Sequence, residues 1–120
     1  MPNIFFFLAN STVNYPHKAC IKDKDREWTF SEVYQKAVRL AVMLRNSSVK
    51  PGDRVQIFLD NSVEYVASLF GIFCANAIAV PVNKDASAEN LRHIYNETMP
   101  KAVISDTVLM SKLSDSVNIR

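Results

Sequence analysis

The chain holds two histidines, His17 and His93, and two cysteines, Cys20 and Cys74. Neither histidine belongs to a cluster of Cys, Asp or Glu at metal-ligand spacing, so both read as surface or hydrogen-bonded residues. The cysteines lie far apart in sequence and form no metal-ligand pattern. With no export signal nearby, they read as reduced thiols. Ser62 and Ser68 fall inside a helical stretch, not on the G-x-S-x-G turn that presents a nucleophile. The only two glycines, Gly52 and Gly71, stand nineteen residues apart, so neither G-x-G-x-x-G nor G-x-x-x-x-G-K-[ST] can be assembled. No catalytic, cofactor-binding or metal-binding residue is therefore assigned within the chain.

The elements that would position a site are clearer than the site itself. Lys50-Pro51-Gly52-Asp53 is a turn signal, because proline presets φ and glycine tolerates positive φ beside it. Arg54 to Leu59 then places Val55, Ile57 and Leu59 on one face and Phe58 on the other, as in a strand covered on both sides. Asn61-Ser62-Val63-Glu64 resembles a capping box, with a side-chain oxygen for an orphan N–H and a carboxylate three residues on. The helix behind it runs to Ala75 with almost no charge after Glu64, and Asn76 suits a left-handed C-terminal cap. Ala77 to Val80 resumes as a short apolar strand before Pro81. The stretch from Val49 to Asn83 is thus a βαβ unit.

The rest of the chain is arranged around that unit. Residues 1–15 read as a short helix or irregular lead-in whose Phe5, Phe6 and Leu8 need cover, ended by Pro16. Ala19-Cys20-Ile21 and Trp28-Thr29 frame a charged turn at Lys24-Asp25 as a small hairpin. Thr29-Phe30-Ser31-Glu32 is a second capping-box pattern. Behind it Phe30, Val33, Tyr34, Ala37, Leu40, Ala41 and Leu44 recur at helical spacing, opposite Glu32, Gln35, Lys36, Arg39 and Arg45. This amphipathic helix closes by Asn46-Ser47-Ser48. Ser87 can cap a helix that turns Leu91, Ile94 and Tyr95 inward, and Lys101 to Ser105 is a third apolar strand. Asp106 or Thr107 can cap a last helix through Leu113, and Val117 to Arg120 reads as the opening of a fourth strand. The expected fold is α/β: a parallel βαβ-type sheet with helices on both faces, preceded by a small hairpin.

Composition narrows the class. At 120 residues the chain is one domain's worth, with 48% hydrophobic and 22% charged residues, inside the globular range. A formal charge of +2, with basic residues scattered among acids as in Lys22-Asp23-Lys24-Asp25-Arg26-Glu27, gives no basis for nucleic-acid binding. The apolar run Ile4 to Ala9 is too short for a transmembrane span and lacks the basic segment of a signal peptide, which makes the cytoplasm the expected location. The N-x-[ST] triplets at Asn10, Asn46 and Asn96 carry no weight without secretion.

Several short blocks in order resemble the adenylate-forming, AMP-binding enzymes. They are W-T-F-S-E-V at 28–33, V-K-P-G-D-R-V-Q-I-F-L-D-N-S-V-E-Y at 49–65, G-I-F-C-A-N-A-I-A-V-P-V-N at 71–83 and P-K-A-V-I at 100–104. That family includes acyl-CoA synthetases, aryl-CoA ligases, luciferases and peptide-synthetase adenylation domains. It usually has Gly where Asn76 stands, and V-P-V-N is closer to the CoA-ligase branch than to the peptide-synthetase branch, where an acid is common at Asn83. The resemblance covers about residues 15 to 120 and implies the N-terminal portion of an acyl-CoA-synthetase-like domain. It also implies that a parent enzyme activates a small-molecule carboxylic acid with ATP and Mg to an acyl-adenylate, then passes the acyl group to CoA or a carrier-protein thiol. The family's phosphate loop, ribose-binding aspartate and mobile lysine fall beyond Arg120. The expectation is therefore a single α/β domain over 1–120 that is a scaffold fragment of a ligase, inactive alone, whose partner is the remainder of the parent chain.

The alternative expectation is a self-contained small α/β binding or interaction module without catalysis. A further expectation concerns the central helix. Val63, Val66, Leu69, Phe70, Phe73 and Cys74, with Ala67, spread wider than one core-facing stripe. Part of that helix is expected to lie open, and the chain to self-associate through it or by exchanging terminal elements.

Overall fold

The computed structural model describes residues 4–116, so the fourth strand expected at Val117 to Arg120 lies outside the described residues. The order is α1 (Phe5–Asn14), β1 (Ala19–Asp23), β2 (Arg26–Thr29), α2 (Phe30–Asn46), β3 (Arg54–Phe58), α3 (Val63–Cys74), β4 (Ile78–Pro81), α4 (Ala88–Thr98), β5 (Ala102–Ser105) and α5 (Thr107–Ser116). β1 and β2 form an antiparallel hairpin, and the other three strands form a parallel sheet in the order β4-β3-β5. Central β3 runs from Arg54 opposite Ile78 to Ile57 opposite Pro81 on one side, and from Val55 opposite Ala102 to Phe58 opposite Ser105 on the other. Pro81 thus ends β4 from within the ladder, on a strand that pairs only with β3 among the described residues.

The alternation in β3 sorts the two faces as the sequence predicts. Val55 and Ile57 pack with Ala41 and Leu44 of α2 and Ile72 of α3. Phe58 packs with Leu91 of α4 and Leu113 of α5 on the opposite face. Gln56 shares the Phe58 side by strand periodicity. It is fully buried, and neither its amide nitrogen nor its amide oxygen has a hydrogen-bond partner. The apolar alternation gave no warning of this polar side chain.

Local signals account for most boundaries. Thr29 and Glu32 close the capping box, with Thr29 Oγ1 accepting from Glu32 N–H at 3.2 Å and Glu32 Oε1 accepting from Thr29 N–H at 3.0 Å. Ser87 and Asp106 cap α4 and α5 through Asn90 N–H at 3.1 Å and Leu109 N–H at 2.8 Å. Asn76 is left-handed at φ 58°, with Asn76 N–H bonding Phe73 O and Ala77 N–H bonding Ile72 O, a Schellman closure. The same closure ends α2. Ser48 takes φ 68°, and Val49 N–H reaches Leu44 O at 3.0 Å.

The start of α3 departs from expectation. Ser62 is the cap, accepting from Tyr65 N–H at 3.1 Å, so Glu64 stands one position too early for a carboxylate to return to the cap. The first free N–H of the helix, on Val63, instead donates to Asp23 Oδ2 of the hairpin at 3.0 Å. A residue forty positions upstream thus supplies part of the cap and pins the hairpin to α3.

The expectation that α3 lies open is also corrected. Along α3 only Glu64 is exposed. α2 crosses it closely at Gly71, where an added Cβ would stand 2.9 Å from Ala37 O. α1 closes a second side, with Leu8 joining Val33, Ala37 and Val63 in a cluster that includes Val66 and Phe70. Phe5 finds its cover by stacking on Tyr34 at 5.7 Å between ring centroids. Phe6 does not: it is 57% exposed, and with Phe7 it faces outward.

Candidate functional site

In a parallel sheet the useful crevice opens where neighbouring strands send their connections to opposite faces. Here β3 leads to α3 on one face while β4 leads to α4 on the other. The cleft between their C-terminal ends is lined by Leu59, Asp60, Asn61, Tyr65, Asn83 and Lys84, and holds about 270 Å³. Sequence reading passed over it. Its signal is that Asp60-Asn61 and Asn83-Lys84 follow two adjacent strand ends, a juxtaposition visible only once the strand order is known.

Several polar groups of the cleft bond one another or nearby backbone. Asp60 Oδ2 meets Lys84 Nζ at 3.1 Å, and Asp60 Oδ1 accepts from Asn61 N–H at 2.8 Å. The hydrogen bond from Lys84, then that from Asn61, holds the Asp60 carboxyl below its ordinary range. Ser62 Oγ donates to Asp60 O, and Asn83 Oδ1 accepts from Asp85 N–H. Lys112 Nζ reaches across from α5 to Lys84 O at 2.9 Å. A carboxylate kept ionised beside an ammonium can bind and orient, but a depressed pKa makes Asp60 a poor proton donor or acceptor at neutral pH.

The residues considered from sequence are dispersed. His17 is exposed in the loop before β1. His93 is exposed on α4, on the rim of a separate cleft with Asn83, Asp85 and Asn90. Cys20 is half-buried against the α1–α2 cluster and Cys74 against the cluster that α2 and α3 share with the sheet. Burial pushes both thiols up, and the Arg45 charge only partly opposes this at Cys74. Ser62 is used as a cap, and Ser68 is buried within α3.

Gly52, at φ +85°, is in the turn before β3, at the end of the sheet away from the cleft, and its N–H is spent on Asn76 O. Gly71 is sealed between two helices. Among the described residues no group of three His, Cys, Asp or Glu side chains could hold a metal ion. No helix there is long and apolar enough to cross a membrane.

The sheet order, the two helical layers and the cleft at the strand ends define a doubly covered α/β unit of the acyl-CoA-synthetase-like kind. The chain belongs to the AMP-binding enzyme family, whose model matches residues 8–119. It is 29% identical over 100 residues to a syringomycin synthase, SyrB1, of Pseudomonas syringae pv. syringae, covering 83% of this chain and 16% of that protein. It is also 29% identical over 100 residues to a 3-oxocholest-4-en-26-oate–CoA ligase of Rhodococcus rhodochrous, covering 83% of this chain and 18% of that one. Among solved structures, a Mycobacterium tuberculosis fatty acyl CoA synthetase superposes with a TM-score of 0.88 at 25% identity, covering 98% of this chain and 24% of that chain. The chain therefore spans less than a fifth of the length of these two curated relatives.

Proposed function

We propose that the chain is a single α/β scaffold lobe from the N-terminal part of an ATP-dependent acid–thiol ligase. The parent would convert a carboxylic acid to an acyl-adenylate and then transfer the acyl group to CoA or a carrier thiol. The observation that carries the reading is the family match over 8–119, set against the small share of each relative that the chain represents. The dispersed histidines and cysteines and the two occupied glycines fit a supporting role. The lobe contributes the C-terminal ends of β3 and β4 with an ionised Asp60–Lys84 pair, while ATP, magnesium and thiol chemistry belong to the remainder of the parent chain.

The isolated chain is accordingly expected to show no acid-dependent exchange of pyrophosphate into ATP and no saturable ATP binding. Calorimetric detection of a millimolar or tighter ATP affinity would count against this reading. A second reading, a self-contained interaction module, draws support from the way α1, α2 and α3 close around one another within 120 residues. Saturable binding of a protein partner by the isolated chain, with no ATP binding, would favour it.

A further inference from the structure

We draw no further inference here: the strongest candidate, the groove of about 390 Å³ between α2, α3 and the end of β5, lined by Leu40, Met43, Ala67 and Ile104, is a largely apolar face, and nothing in the structure shows what covers it.

Discussion

Gly71→Ala would ordinarily stabilise a mid-helix position, because alanine is about 1 kcal/mol better than glycine in a helix interior. At this position the opposite outcome is expected. The added methyl would stand 2.9 Å from Ala37 O, 2.9 Å from Leu40 Cδ2 and 3.0 Å from Leu40 Cβ. Leu40 Cδ2 could swing aside, but a backbone oxygen inside α2 cannot move without the helix. Normal carbon contacts need about 3.5 Å or more, so α2 and α3 must part by roughly 0.5 Å, forfeiting about a quarter of the dispersion energy of each atom pair at the crossing. Overpacking of this kind costs about 1–3 kcal/mol, and a backbone obstacle places it in the upper half. Set against the propensity gain, the net loss is about 1–2 kcal/mol. Urea unfolding followed by circular dichroism and by fluorescence of Trp28, the single tryptophan, measures it. The midpoint should fall with the slope unchanged, and Gly71→Val should fall further. A midpoint for Gly71→Ala equal to or above that of the parent chain would refute the close crossing.

Gln56→Met is expected to raise stability by about 1–3 kcal/mol, since a side chain of matching length removes two buried polar atoms that have no partner; a loss in denaturant midpoint would mean that the amide is satisfied. Ser48→Gly should add roughly 0.5–1 kcal/mol by relieving a left-handed serine, and Asn76→Gly should be neutral or slightly stabilising, both read from thermal midpoints. Asp23→Ala should cost about 1 kcal/mol, with loss of hydrogen-exchange protection concentrated at Val63 and in the hairpin. Acid should weaken the fold in a defined direction. The Thr29 backbone N–H holds the Glu32 carboxyl down and Lys84 holds Asp60 down, so their contributions are present above the unfolded carboxyl values and vanish as pH falls through the lower folded ones, below about pH 4. Glu32→Gln and Asp60→Asn should each flatten that acid limb in a series of denaturant midpoints against pH.

Much of the architecture was legible because its signals are local. Thr29, Ser87 and Asp106 cap the helices they precede, and Asn76 takes the left-handed closure, since each choice depends only on a few neighbouring backbone groups. The two-sided apolar pattern of β3 likewise announced a covered parallel strand. The candidate cleft was not legible. Asp60 and Lys84 stand twenty-four positions apart, and their pairing follows from β4 docking beside β3.

By itself the sequence determined the order of the described elements, most of their caps and turns, and the short ordered blocks that mark the AMP-binding family, because backbone hydrogen bonding and side-chain periodicity act over three or four residues. Tertiary structure alone decided three things. It brought Asp23 of the hairpin to the first free N–H of α3, it sealed Gly71 against Ala37, and it turned Phe5 and Leu8 inward while leaving Phe6 outside. Each depends on which elements become neighbours once chain-closure entropy has been overcome, and an apolar side chain carries no information about which of several apolar surfaces will cover it.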